Sequence, residues 1–209
     1  MQHMEFQEED SPFLDKYEEI KIRSHHLQHW DQQGKIQFVT FRLNDSLAQN
    51  HLKYLADLKL SFLKLNPKPW NDSTLKRYND LIPRAFEDFL DKGYGRCILK
   101  FPEIRRIVEE ALLYYDDKNY CIHGGVIMPN HVHILISMLD EKNIDSTLGA
   151  LKSFTAKKIN ANLGESGSIW IRDNYKRLIR NLEHYKVVKA YIKENPKSLP
   201  RGSFSLIGF

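Results

Sequence analysis

Two histidines in one strand-like run are the residues best placed for chemistry in this chain. Residues 128–136 read Met-Pro-Asn-His-Val-His-Ile-Leu-Ile. Because side chains alternate across a strand, His131 and His133 share one face and Val132 and Ile134 take the other. Neutral imidazole is a common metal ligand, and a strand fixes the separation of the two rings. The pattern therefore indicates a divalent cation site, with two partly exposed histidines at a strand edge as the alternative.

A tyrosine and an amide near the C-terminus extend this constellation. Tyr191 and Asn195 are four residues apart in a run with helical spacing, so they lie one above the other on the same face. A divalent ion held by His131, His133 and the Asn195 oxygen would keep positions open for phosphate oxygens. Tyr191 could then attack the phosphorus, form a phosphotyrosine ester and expel a 3′ hydroxyl. This exchange conserves the phosphodiester energy and needs no nucleotide cofactor, and the chain contains no glycine pattern that binds nucleotide phosphates.

The elements that must position these residues follow from hydrophobic periodicity. Residues 120–128 and 131–138 form two strand-like runs around a turn-forming Pro-Asn pair, which predicts a hairpin with the histidine strand inside the sheet. The other predicted elements are a strand over 36–43, a helix capped within 44–46, a helical stretch 74–92 kinked or split at Pro83, a short strand over 96–99, a helix from Pro102 to 115, a helix from Ser146 to 163 and a last helix from Asn181 to 195.

Composition limits the class of protein. The chain has 209 residues, 42% hydrophobic and 28% charged, as in an ordinary globular protein. No apolar run is long enough to span a bilayer and the N-terminus lacks a signal-peptide pattern, so we expect a cytoplasmic protein with no membrane partner. Cys97 and Cys121 are too far apart for a thiolate metal motif. Residues 1–19 hold seven acids and one lysine, which leaves a net charge of +10 on the remainder.

A basic remainder suits a polyanionic partner, although many soluble proteins carry such a charge without binding nucleic acid. Cations interleaved with aromatic rings follow the 146–163 helix, the composition expected where phosphates and bases are bound. For lysines of that helix a solvated face is the competing interpretation. The residues predicted to contact DNA are Arg42, Lys152, Trp170, Arg172, Tyr175, Lys176, Arg177 and Arg180.

The joint pattern resembles the single-tyrosine HUH transposases, and most of all their REP-associated branch. The resemblance is carried by Pro-Asn-His-Val-His at 129–133 followed by Tyr-Ile-Lys-Glu-Asn-Pro at 191–196. Further stretches agree in order: 29–30, 38–43, 45–47, 93–95, 152–155 and 169–175. The similarity covers roughly residues 23–200.

The resemblance implies an α+β fold, with helices packed on a central antiparallel sheet of ferredoxin/RRM-like type. It implies a transposase domain over 23–200. The prolines and glycines that bound residues 66–95 indicate a helical insertion there, and composition indicates an acidic arm at 1–22 and a tail at 201–209. By position, His131, His133 and Asn195 would bind Mg²⁺ or Mn²⁺ and Tyr191 would be the nucleophile. The implied activity is cleavage and rejoining of single-stranded DNA near a REP-like hairpin through a 5′-phosphotyrosine intermediate, on a substrate in the nucleoid.

Two departures from the family pattern are visible. Tyr175 occupies an aromatic position in the Trp-containing stretch of the family, and we interpret it as a residue that packs or stacks on DNA, not as the nucleophile. Residues 124–128 read Gly-Gly-Val-Ile-Met, where relatives often carry a bulkier side chain.

Two other functions are compatible with the same residues. One is a non-catalytic module of this fold that binds structured single-stranded DNA, and the other is an unrelated metal hydrolase using His131, His133 and Glu194. The insertion and the tail could shield the sheet edge, which favours a monomer and leaves a dimer open.

Overall fold

A five-stranded antiparallel sheet forms the centre of the computed structural model, which describes residues 11–15, 21–24, 28–139 and 142–209. Its strands are β3 (Ile36–Arg42), β4 (Tyr120–Ile127), β5 (His131–Met138), β6 (Tyr175–Leu178) and β7 (Ser205–Ile207), in the order β6-β3-β5-β4-β7. A separate two-stranded ribbon pairs β1 (Lys21–Ser24) with β2 (Gln28–Asp31). Because helices pack on both faces of the five-stranded sheet, the predicted α+β fold class is confirmed.

The helices are α1 (Gln49–Leu65), α2 (Asp72–Asp91), α3 (Pro102–Tyr115), α4 (Ile144–Leu163) and α5 (Leu182–Glu194). One face of the sheet, bearing Val132, Ile134 and Ile136 of β5, packs in a single apolar cluster with α3 and α4. The opposite face, bearing Phe38 and Leu135, packs with α5. Because residues alternate along β5, the apolar cluster and the histidines take opposite faces of the strand.

The predicted hairpin of β4 and β5 is confirmed, and β5 is the central strand, paired with β3 on its other side. The predicted helix start at Pro102, the Asn181 cap and the stop at Gly164 are also found. The side chain of Asn181 accepts a hydrogen bond from the His184 amide, and Gly164 takes the left-handed backbone with φ of 66°.

Several element predictions were wrong. The stretch predicted as a strand over 96–99 is a left-handed residue, Cys97, followed by a 3-10 turn at Ile98–Lys100 that buries Ile98 and Leu99. The split into two short helices at Pro83 is also wrong, because α2 continues through Pro83, which lies buried with Ile82, so tertiary contacts outweigh the lost backbone hydrogen bond. The alternative, a kink at Pro83, stays a prediction.

Helix ends shifted for local reasons. Helix α4 begins at Ile144 because the side chain of Asn143, not that of Ser146, accepts the amide hydrogens of the first turn. Helix α1 begins at Gln49 without a side-chain cap, since Ser46 donates its hydroxyl to the Leu43 carbonyl instead.

Strand β6 was missed by the sequence reasoning, and the tail, expected to dock, does so as strand β7 on the edge of β4. Of the predicted acidic arm, residues 1–10 and 16–20 lie outside the described residues. Between them, Pro12 accepts a hydrogen bond from the Ile36 amide and Leu14 donates one to the Ile179 carbonyl. No helix in the described part of the chain is long and apolar enough to span a membrane.

Candidate active site

His131 and His133 point into the buried space under α5, and both side chains are fully buried. Each ring is held through Nδ1. The Asn130 Oδ1 lies 2.7 Å from Nδ1 of His131, and the Thr40 Oγ1 lies 2.7 Å from Nδ1 of His133, its partner across the strands. The Asn130 amide donates to the carbonyls of Leu90 and Tyr94, so its oxygen is the atom that faces His131. The His131 Nδ1 therefore carries the proton, which leaves a free lone pair on its Nε2.

Burial also keeps both rings uncharged. Desolvation lowers the pKa of His131 to about 3 and lowers that of His133 well below its usual value. The two Nε2 atoms face each other at 3.0 Å. Two nitrogen ligands at right angles on an ion, each about 2.1 Å from it, would lie about 3.0 Å apart. The pair therefore fits two adjacent positions around a divalent cation.

The carboxylate of Asp91 completes a three-residue cluster. Asp91 is the last residue of α2, and its Oδ1 lies 3.6 Å from Nε2 of His131. One ligand atom from each of Asp91, His131 and His133 lies within 4.8 Å of the other two. Burial raises the pKa of Asp91. This cluster could hold a metal ion, and its acid was missed because it belongs to the segment interpreted as an insertion.

Asn195, the third ligand expected from the sequence, lies beside this cluster. Its Nδ2 donates to Asp91 Oδ1 at 3.0 Å. Its Oδ1 is buried and has no hydrogen-bond partner within the described part of the chain. Such an oxygen is costly to leave unpaired, so it fits a site that accepts a further group. Asp91 and Asn195 are thus the two candidate oxygen ligands.

Tyr191 reaches the same cluster from α5. Its hydroxyl lies 3.3 Å from Nε2 of His133 and donates to Asp91 Oδ2 at 3.4 Å. The ring packs on His133 and meets Phe38 edge on. Burial raises the pKa of Tyr191, and the nearby carboxylates of Glu87 and Asp91 raise it further, so the phenol is protonated at neutral pH. The four residues singled out from the sequence, with Asp91 added, form one constellation.

Five of the eight residues predicted to bind DNA are buried, and one of the five is Arg42. Lys152 donates to the carbonyls of 171 and 172 and to Asn174, and burial lowers its pKa to about 8. The Trp170 indole donates to Thr155, and Lys176 pairs with Asp145 at 2.6 Å. Tyr175 packs against Phe38 and Phe86. These contacts support the loop beside the site, and direct DNA contact by these residues stays a prediction.

Two of the remaining cations are exposed. Arg172 and Arg180 are exposed, while Arg177 lies partly buried, 3.7 Å from Asp80. Arg42 is buried, donates to Ser46, and has its pKa lowered to about 10 by desolvation. Among these, Arg172 and Arg180 present free charge to a polyanion.

A region of the sequence that contains most of the site residues matches a known family. Residues 101–195 match the model of the family described as Transposase IS200 like. The resemblance to a transposase is thus confirmed. The matched region contains His131, His133, Tyr191 and Asn195, and it excludes Asp91 together with the rest of α2.

A comparison with solved structures finds a similar chain at low sequence identity. A solved structure of a REP-associated tyrosine transposase bound to a REP hairpin aligns with 88% of this chain and 73% of its own, at 16% identity and a TM-score of 0.41. No curated protein matches the chain. Glu194, the acid of the alternative hydrolase, pairs with Lys197 and is not part of the Asp91, His131 and His133 cluster.

Proposed function

We propose that this chain is a metal-dependent strand transferase that cleaves and rejoins single-stranded DNA near a REP-like hairpin through a 5′-phosphotyrosine intermediate. The observation that carries the proposal is the position of the Tyr191 hydroxyl, 3.3 Å from a histidine nitrogen of the candidate metal cluster. A nucleophile belongs beside the ligands that would activate the phosphate. The match to the transposase family supports the same reaction class.

His131 and His133 would hold Mg²⁺ or Mn²⁺ with an oxygen of Asp91 or Asn195. The ion would supply Lewis-acid polarisation of the scissile phosphate. Asn130 orients the His131 ring so that its Nε2 lone pair faces the site, and Thr40 holds the ring of His133 in place.

The Tyr191 oxygen attacks the phosphorus and the bond to the 3′ oxygen breaks. The phenol proton faces Asp91 Oδ2, which would accept it, and the departing 3′ oxygen takes a proton from Asp91 or from water to become a hydroxyl. Rejoining is the reverse: a 3′ hydroxyl attacks the phosphotyrosine, and Tyr191 leaves with a proton. One phosphodiester is exchanged for one phosphotyrosine ester, so no nucleotide cofactor is consumed.

Covalent capture tests the proposal. Labelled single-stranded oligonucleotides carrying imperfect palindromes from the sequence flanking the gene are incubated with protein and Mg²⁺ or Mn²⁺, then separated on a denaturing gel. We expect label to migrate with the protein, and to be lost on chelation or in Tyr191→Phe. The matched control is Tyr175→Phe, which removes a buried phenol outside the cluster and should keep the adduct.

The alternative functions give different results. A shift on native gels without a covalent species, across all oligonucleotides and both metals, would establish the DNA-binding module instead. Cleavage that survives Tyr191→Phe would establish a metal hydrolase.

A further inference from the structure

A cluster of aromatic rings lies where α1 meets the C-terminal end of α2, and the proposed chemistry does not use it. The His51 ring stacks on Phe89, with centroids 4.5 Å apart and planes 22° from parallel, and lies 4.3 Å from the ring of Tyr94. Tyr54 meets Phe89 edge on at 5.6 Å. The ammonium of Lys92 lies 5.1 Å from the centre of the Phe89 ring. We call His51, Tyr54, Phe89 and Tyr94 the aromatic platform.

The loop that carries Tyr94 is held rigidly. Gly95 has φ of +88°, and a Cβ there would lie 2.5 Å from the carbonyl oxygen of Asp45, so only glycine fits. The Asp45 carboxylate accepts the Arg96 amide hydrogen at 2.9 Å. The Tyr94 ring is therefore presented by a fixed backbone, and binding a ligand there would cost little ordering entropy.

The aromatic platform is connected to the candidate active site. Asn130, which positions His131, donates its amide hydrogens to the Tyr94 and Leu90 carbonyls. Asp91 belongs to the same final turn of α2 as Phe89. The backbone that carries the platform is therefore joined to the cluster through Asn130 and the last turn of α2.

Exposure and charge indicate the kind of ligand. Tyr54 is 53% exposed and Tyr94 is 38% exposed, although both rings touch other aromatic rings. Flat ring faces stack with nucleobases of any sequence, and a nearby ammonium suits the phosphate that accompanies each base. The Lys92 ammonium, which lies over the Phe89 ring, adds a positive charge to this otherwise apolar surface.

We propose that the aromatic platform stacks an unpaired base of single-stranded DNA that flanks the scissile phosphate. This inference rests on the proposed function, since it assigns part of that substrate to a place on the protein. Stacking there would hold the strand on the same side of the site as the end of α2.

Fluorescent base analogues test the platform separately from cleavage. The probes are the flanking-sequence hairpin oligonucleotides with 2-aminopurine at each unpaired position in turn, titrated with the Tyr191→Phe protein, which cannot form the adduct. We expect the fluorescence of one or two positions to be quenched by stacking. Adding Tyr54→Ala and Tyr94→Ala should remove this quenching and weaken binding about tenfold. Tyr94→Phe keeps the ring and should keep both signals.

The control is Tyr114→Ala, which removes a ring 63% exposed on α3 and should change neither signal. Melting curves of every variant check folding. Unchanged affinity and quenching in the doubly substituted protein would overturn the platform, and an adduct formed by the parent protein would then leave the strand-transfer proposal standing. Platform-dependent quenching with no adduct under any condition would support the platform and refute strand transfer.

Discussion

Replacing Asp91 by Asn should weaken divalent metal binding while stabilising the metal-free protein. Asp91 is the only acid in the three-residue cluster found among the described residues, and its Oδ1 lies 3.6 Å from the His131 nitrogen. Removing a residue that hydrogen-bonds to a metal ligand, without binding the metal itself, typically weakens metal affinity about 10- to 100-fold. Removing Asp91, a charged candidate ligand, should therefore weaken metal affinity at least about tenfold.

The metal-free protein should respond in the opposite direction. Burial raises the pKa of Asp91 above its unfolded value, so the folded state binds the proton more tightly than the unfolded state does. Its contribution to stability is present below the unfolded pKa and is lost as pH rises through the folded pKa. At pH 8 the variant lacks this partly desolvated charge, so its Tm without metal should exceed that of the parent.

Isothermal titration with Mn²⁺ and thermal melts at fixed saturating metal measure both effects. A tenfold weaker Kd removes about 1.4 kcal/mol of metal-linked stabilisation, which corresponds to about 3–6 °C in Tm for a chain of this size. The matched control is Asp88→Asn, which neutralises an exposed acid on the same helix outside the cluster. The reasoning is refuted if Asp91→Asn binds Mn²⁺ as the parent does and Asn195→Ala does not; Asn195 would then be the oxygen ligand.

Two further predictions concern folding. Burial raises the pKa of Glu87 to about 7, so its stabilising contribution is present below about pH 4.5 and is lost as pH rises to 7. Glu87→Gln should therefore raise the Tm by a few degrees at pH 8 and leave it unchanged at pH 4.5. A variant that melts at the same temperature as the parent at both pH values would contradict this assignment. Gly95→Ala should lower the free energy of unfolding by more than about 1 kcal/mol, because its Cβ would collide with Asp45. Gly149→Ala, in an open helical position, should raise it by about 0.5–1 kcal/mol. Denaturant titration measures both changes, and an unchanged free energy of unfolding in Gly95→Ala would disprove the close contact with Asp45.

The histidine strand could be predicted because its information is local. Alternation along 131–136 assigns one face to imidazoles and the other to apolar side chains, and the Pro-Asn turn fixes the pairing of β4 with β5. The positions of Tyr191 and Asn195 follow equally from helical spacing and from the Asn181 cap.

Asp91 could not be predicted in this way. It lies 40 residues before His131, at the end of a helix whose sequence suggested a break at Pro83. Only the packing of α2 along its full length carries the carboxylate to the histidines, and no local pattern encodes that contact.

The basic residues show a second limit of sequence reasoning. The local sequence does not distinguish a lysine that donates to buried carbonyls from one that binds a phosphate. Lys152 satisfies two carbonyls and an amide, and Lys176 pairs with Asp145, whereas Arg172 remains exposed. Composition near the site predicted cations correctly, but their burial depends on contacts across the fold.

Helix α2 therefore has a role that its description as an insertion does not suggest. It supplies Asp91 to the candidate metal cluster, Glu87 to the surroundings of Tyr191 and Phe89 to the aromatic platform. The match to the transposase family begins only at residue 101 and leaves this helix outside. If the tests of Asp91 and Tyr94 both succeed, the region that matches the family supplies the nucleophile and the histidines. Helix α2 then supplies the acidic metal ligand and part of the DNA-binding surface.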